Sequence, residues 1–482
     1  MDSAKQHSWW NTNLSKIDRK IVPREYQKLI LDLVKLHTKK DKSVLLELDC
    51  GMGKRVITYK LLTSIFPEKK FLLIVLSSSS LFETKEFLAE EYGGVEGFNW
   101  IGPGVGNKFA QKLIKEGRVI LCTPQKLNNI FKKAPEDLPK KFDFVIINEV
   151  DKIVRRMGSK RVLTYPWTDL LERLTGSLII GMSGTLRDSH YICDADQIEL
   201  RKELETLKEF IPNVEFIFME YLAGTDITEY VKETTVEAKP VEDPAIQQIS
   251  QIVTEQLKQA YQEIRKELSE ENPAYLAQVK KIGPQALFQA PVSTDLKSKA
   301  QSLSLIRKYL FSMVSDQLKK FLWRLPDVSI SMLPVMPKKI TSVIEIARES
   351  EKLVVLCSYI KTAKTIRDFL VREKIKPFVL TGQVFDKNAV LEDFRTFEGK
   401  AVLIMTPVGE RDIDLPEAET LIVFDCVRTI KTVYQRIKRI RGGHSIFLYY
   451  NQTYEAKKVH AVISNLLERY PWSTKWKTET ED

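Results

Sequence analysis

Cysteine and histidine are scarce. The 482 residues contain five of each. Cys50, Cys122, Cys193, Cys357 and Cys426 lie far apart, and His7, His37, His190, His444 and His460 are scattered, with no C-x-x-C pair and no metal-ligand spacing. This excludes a disulfide framework and a Cys/His zinc site, and it leaves buried thiols in a reducing compartment as the expectation. No run of about eighteen apolar residues occurs, so no membrane helix is expected. The N-terminal MDSAKQHSWW lacks the apolar stretch of a secretory leader. A cytoplasmic, intracellular location without a membrane partner is the expectation.

What is present is the composition of a multidomain α/β protein. Hydrophobic residues make up 43% of the chain, and the length calls for two or three domains. From Val44 to Gly181, apolar β-branched runs (VLLEL, FLLIVL, VILC, FVII, LIIGM) alternate with amphipathic stretches, the pattern of a parallel sheet covered by helices. The rhythm returns after Pro337, with Leu353–Cys357, Phe378–Leu380, Ala401–Met405, Thr420–Phe424 and Ser445–Tyr450. Between them, Asp243-Pro244 reads as N-cap and first position of a long amphipathic helix through Leu268. A second helix is expected from about Asp295 through Phe321. The expected division is an α/β domain over 1–222, an all-helical insert over 223–336 and a second α/β domain over 337–482.

Leu48-Asp49-Cys50-Gly51-Met52-Gly53-Lys54-Arg55 follows the first apolar run and precedes a helical one, where a phosphate-binding loop belongs. Gly51 and Gly53 let backbone N–H groups turn inward, and Lys54 can reach the outer phosphates of a nucleotide. Such a loop normally continues with Ser or Thr, whose hydroxyl holds Mg²⁺. Arg55 stands there instead, and a guanidinium repels a divalent cation. The balance of 74 Lys+Arg against 64 Asp+Glu leaves a net charge of +10, which suits a polyanionic partner. Between Cys426 and Tyr454 no acid interrupts Arg428, Lys431, Arg436, Lys438, Arg439 and Arg441, and a second basic run holds Lys152, Arg155, Arg156, Lys160 and Arg161.

Further motifs follow in a fixed order: Arg24-Glu25-Tyr26-Gln27, Leu76-Ser77-Ser78-Ser79-Ser80-Leu81, Cys122-Thr123-Pro124-Gln125, Ile147-Asn148-Glu149-Val150-Asp151, Met182-Ser183-Gly184-Thr185, Thr381-Gly382-Gln383, Met405-Thr406-Pro407-Val408-Gly409-Glu410 running to Asp414, and Gln435-Arg436-Ile437-Lys438-Arg439-Ile440-Arg441-Gly442. Each is weak alone; the ordered set resembles superfamily 2 helicases, and the helical insert resembles the archaeal Hef-type fork helicases, relatives of Fanconi anaemia M-type translocases, Dicer and innate immune RNA sensors. The resemblance implies two RecA-like domains with ATP in the cleft between them and branched or double-stranded DNA, or RNA, across their top. It implies adenine reading by Gln27 and nucleotide contacts from Gly51, Gly53, Lys54, Arg55, Gly409 and Asp414. Glu149 would activate water, with Gln435 and Arg439 completing the catalytic set. Ser77, Ser78, Ser79, Thr123, Gln125, Gly382, Gln383, Thr406, Arg436 and Lys438 would contact nucleic acid.

Departures from the pattern cluster at the chemistry. Asn148 replaces the acidic Mg²⁺ ligand, Glu410-Arg411-Asp412 disturbs the fifth motif, and Lys438 and Arg441 stand where glycines are expected. Gly442 replaces the last arginine, unless a shift of one residue lets Arg441 serve. Phosphoryl transfer relies on metal and arginine to neutralise developing charge. The expectation is therefore a degenerate ATPase, with ATP as the possible ligand and Mg²⁺ in doubt, that binds DNA as a scaffold or regulatory partner of a nuclease, an active helicase or another repair protein. An active translocase and a pure protein-interaction module remain open alternatives. The Arg55 guanidinium is expected to fill the metal position and pair with Glu149 or Asp151.

Overall fold

The computed structural model describes residues 21–49, 51–91, 94–157, 160–186, 203–282, 290–322, 331, 333, 334, 336–407, 415, 418–426, 430–440 and 442–477. They form two compact units, one through Val231 and the other from Lys232 onward.

In the first unit, β1 (Ser43–Glu47), β2 (Phe71–Ile74), β3 (Phe98–Ile101), β4 (Val119–Cys122) and β5 (Phe144–Asn148) precede a small antiparallel hairpin of β6 (Val154–Met157) and β7 (Lys160–Leu163). They are followed by β8 (Leu178–Ser183) and β9 (Val214–Ile217). The large sheet runs β3-β4-β2-β5-β8-β1-β9, every pair parallel, for example Val44 beside Ile180. All residues of β1, β2 and β4 are buried, because helices cover both faces. No helix among the described residues is long and apolar enough to cross a membrane.

The second sheet contains β10 (Thr234–Val241), β11 (Lys352–Leu356), β12 (Lys376–Leu380), β13 (Ala401–Met405), β14 (Thr420–Val423), β15 (Gly443–Tyr450) and β16 (Thr474–Trp476), in the order β12-β13-β11-β14-β15-β10-β16. Along β11 the side chains alternate: Leu353 and Val355 enter one core, Val354 and Leu356 the other, as the two-residue period of a strand requires.

Two features correct the expected division. Segment 234–241, assigned to the insert, is a strand of the second sheet, paired with β15 over its whole length. Pro240 is tolerated there because β16 pairs only with Thr234, Thr235 and Val236, so no partner on that side needs an N–H from residue 240. The long helix Pro244–Glu271 forms as expected, with Asp243 accepting from Ile246 N. Its buried stripe, Ile249, Val253, Leu257 and Ile264, belongs to the same core as Leu353 and Val402 of the sheet. The insert helices are thus part of the second unit. The expected second helix is broken into Thr294–Tyr309 and Ser315–Leu322.

At the break two backbone carbonyls accept side-chain donors. Phe311 O accepts from Lys339 Nζ at 3.2 Å and Ser312 O from Thr362 Oγ1 at 2.9 Å. Lys339, fully buried on the Lys338–Glu349 helix, also bonds Phe424 O at 2.9 Å and Glu455 Oε1 at 2.7 Å. Glu455 accepts Tyr450 N through its other oxygen at 2.9 Å. Burial pulls the Lys339 ammonium below its ordinary range and pushes the Glu455 carboxyl up, each opposed by the other's charge. The ammonium therefore holds the insert, β14 and the Tyr454–Arg469 helix at one point.

Removing one partner of such a pair leaves a buried charge without its counterpart. Lys339→Ala should cost about 3–5 kcal/mol in urea unfolding, and Lys339→Met combined with Glu455→Gln should cost clearly less. A loss below about 1 kcal/mol for the single substitution would show that the pair is dispensable.

Candidate nucleotide and nucleic-acid site

The phosphate-loop candidate lies where β1 ends. Gly51 and Gly53 adopt φ of 79° and 73°, and Gly53 caps the Lys54–Lys60 helix in the left-handed conformation. A Cβ on Gly53 would stand 2.4 Å from Gln27 Nε2, so a side chain there would push the glutamine amide away from the loop. Gln27 is buried against the loop: its amide donates to Met52 O at 3.3 Å and its carbonyl accepts Arg24 N at 3.0 Å. Tyr26 OH reaches the same Met52 carbonyl at 2.9 Å. The helix carrying both residues, Glu25–Thr38, is capped from about 200 residues away by Asp226, which accepts Glu25 N at 3.1 Å and Tyr26 N at 2.9 Å. Tyr26 stands in the first motif without an assigned role, and Asp226 lies in no motif.

Strand order brings the acidic motif beside this loop, since β5, β8 and β1 are neighbours. Glu149 follows β5 with φ 56° and ψ 48°, a left-handed conformation that costs a non-glycine residue and clusters at functional positions. Its carboxylate receives Lys54 Nζ at 3.2 Å and Lys152 Nζ at 3.4 Å. Burial would raise its pKa, but the charges and hydrogen bonds of Lys54 and Lys152 outweigh this and hold it at about 2. Asp151 is fully engaged with the next motif: Ser183 Oγ donates to Oδ1 at 2.5 Å and Thr185 Oγ1 to Oδ2 at 3.4 Å, while Thr185 N donates to Ser183 Oγ at 3.0 Å.

The expected Arg55 contact is not formed. Arg55 turns outward and pairs with Glu83 of the Ser78–Glu86 helix, both side chains being about half exposed. Glu149 is balanced by lysines and Asp151 by hydroxyls, so the arginine meets its carboxylate on the neighbouring helix instead. Asn148, at the end of β5, lines a cavity with Lys54, Arg55 and Thr58. This donor set does not fit Mg²⁺. The hydroxyl and the carboxylate expected to bind it are an arginine and an amide, and the remaining acids have partners in the chain. Among the described residues no cluster of acidic, histidine and cysteine side chains could hold a metal ion.

The proposed nucleic-acid residues divide. Ser77 caps the Ser78–Glu86 helix by accepting Ser80 N at 3.1 Å, with Ser79 Oγ 3.0 Å from its own hydroxyl. Ser78, Ser79 and Gln125 are exposed and Thr123 is half-buried as N-cap of the Pro124–Phe131 helix. In the second unit Gly382 and Gln383 are exposed in a turn in which Gln383 N donates to Thr381 Oγ1 at 3.3 Å. Thr406, by contrast, is buried, its N–H bonded to Leu380 O at 3.2 Å.

Arg436 and Lys438 are also corrected. Both are buried. Lys438 Nζ donates to Lys232 O beside the Tyr434 ring, and Arg436 lies near the buried Asp425, whose carboxyl burial pushes up to about 6 against the opposing charges of Arg436 and Lys339. Gln435 and Arg439 are half-buried. Gly442 has φ 99°, and a Cβ there would meet Glu233 O at 3.4 Å; one on Gly443 would stand 2.4 Å from Glu419 O. The absent last arginine thus coincides with a left-handed glycine turn into β15. Gly409, Asp414, Arg441 and the Glu410–Asp412 segment lie outside the described residues.

Residues 20–188 match the family described as the res subunit of type III restriction enzymes, and residues 338–443 match the helicase conserved C-terminal domain. The crystal structure of the Pyrococcus furiosus Hef helicase domain aligns with a TM-score of 0.56 at 18% identity, covering 91% of this chain and 98% of that one. The Saccharomyces cerevisiae Dbp5 structure bound to RNA and ADP BeF3 aligns with a TM-score of 0.52 at 14% identity, covering 94% and 90%. No curated protein matches the chain.

A carboxylate whose folded pKa of about 2 lies below the ordinary 4.5 contributes stability that is present above pH 4.5 and lost as pH falls toward 2. Glu149→Gln should therefore flatten the decline of stability with pH in that window, measured by urea unfolding at several pH values. An unchanged slope would mean that the two lysine pairs contribute nothing.

Proposed function

We propose that the chain, which carries both helicase domain signatures and the fold of the Hef helicase domain, is a superfamily 2 helicase of the Hef type that binds nucleic acid while hydrolysing ATP weakly or not at all. The observation that carries this is the disposition of charge around Glu149. The residue expected to activate water is held as an anion between Lys54 and Lys152, while the two neighbouring metal positions carry Arg55 and Asn148. The same lysine that would grip the outer phosphates is thus committed to the acid. A nucleotide would have to draw Lys54 away from Glu149 before its phosphates could be held.

The nucleic-acid reading rests on the exposed Ser78, Ser79 and Gln125 and on Gly382 and Gln383, which can meet phosphates without reading bases. Branched or double-stranded DNA is the proposed ligand. In this reading the chain is a scaffold or regulatory partner in DNA repair or replication-fork processing, and a nuclease or active helicase supplies the chemistry.

Phosphate release with and without forked DNA, across Mg²⁺ concentrations, tests the first part. Turnover should fall orders of magnitude below about 1 s⁻¹, the lower end of ordinary enzymes. Arg55→Thr with Asn148→Asp should restore at most a fraction, because Gly442 still supplies no finger and these groups act on one transition state. DNA-stimulated turnover near 1 s⁻¹ in the natural chain would overturn the degenerate reading.

Binding to labelled forks should weaken steeply between about 50 and 200 mM salt, with a log–log slope of magnitude about 4–8 for five to nine neutralised phosphates. Lys438→Ala should leave that slope unchanged, since its ammonium is held by Lys232 O; a slope lowered by about one would return Lys438 to the phosphate-facing surface.

A further inference from the structure

On the Ser78–Glu86 helix the buried side chain is Leu81, while its neighbour Phe82 stands 45% exposed. Phe82 faces Trp100 of β3, with ring centroids 5.7 Å apart and planes inclined by 59°. Lys85, one turn further along the same helix, places its ammonium 5.4 Å from the Trp100 ring. A Cβ on Gly102 would stand 2.6 Å from Trp100 Cζ3, so the absence of a side chain at 102 is what leaves room for the indole. Because β3 is the edge strand of its sheet, no further strand among the described residues covers this side.

Two inclined aromatic rings, one of them with the Lys85 ammonium over it, suit a ligand that is flat, apolar on its face and negatively charged at its margin. An unpaired nucleobase on its phosphodiester backbone has that chemistry, and a paired base does not, because its faces are covered by its neighbours in the duplex. Ser78 lies four residues before Phe82 on the same helix face, about 6 Å along the axis. A backbone passing the exposed Ser78 and Ser79 therefore has a base within reach of the rings. The net charge of +10 favours the same class of ligand.

We propose that Phe82, supported by Trp100 with Lys85 over its ring, forms a stacking platform for an unpaired base, giving the first unit a preference for single-stranded arms. This rests on the nucleic-acid reading above and adds to it a discrimination between single strands and duplex.

The test uses the full chain and two labelled probes of equal length, an oligothymidylate and a blunt duplex, with affinities read by fluorescence anisotropy. Phe82→Ala should weaken oligothymidylate binding by about 5- to 150-fold, the range expected for one lost base stack, and change duplex binding by less than about twofold. Phe82→Tyr, which keeps the ring face, should bind like the natural chain on both probes. Phe82→Ala affinities equal to the natural chain on both probes, or reduced equally on both, overturn the platform alone. A natural chain that binds neither probe overturns the nucleic-acid reading and the platform with it, and assigns the aromatic pair to a protein surface instead.

Discussion

Parallel strand pairing is the constraint on which the rest depends. When all strands of a sheet run the same way, all their C-terminal ends finish on one edge, and every connection that leaves that edge is a loop free to carry chemistry. In the first unit the adjacent strands β5, β8 and β1 deliver Glu149, Ser183 and the 49–53 loop to one place, although about 100 residues separate the first glycine from the acid. A Cβ on Gly181 would lie 2.4 Å from Leu45 Cδ2 and 2.8 Å from the Val150 methyl groups, so a side chain there would displace the residues packed over this face of β8.

The charges around the acidic motif and the phosphate loop are matched within the chain: Arg55 pairs with Glu83, and Glu149 pairs with two lysines. The Arg55–Glu83 pair is half exposed, whereas around the more buried Glu149 a charge persists only where it has a partner. The buried Lys339 in the second unit follows the same rule with its carboxylate and two carbonyls.

Strands with β-branched or leucine-rich runs were legible in the sequence because burial on both faces leaves nothing to confuse with a surface pattern. The helix from Pro244 was legible because its cap, its proline and its apolar spacing agree. The strand Thr234–Val241 was not, since it mixes Glu237, Lys239 and Pro240 with small apolar residues, and only its partner β15 reveals it. Lys438 and Arg436 stood in an acid-free run that reads as surface, and their burial depends on where Lys232 and Asp425 come to lie. The Arg55–Glu83 pair and the Asp226 cap are likewise products of distant segments meeting, which no local spacing encodes.

Strand β10 also has a history in time. Thr234 must wait for Gly443, about 200 residues later, before its ladder can close, which at ordinary rates of synthesis is a delay of roughly 10–40 s. Throughout that interval an unpaired strand is available to any other open edge, the usual route to aggregation. Glu237, Lys239 and Pro240 are the kinds of residue that discourage such pairing. The features that hid this strand from a sequence reading are therefore suited to keeping it soluble until its partner arrives.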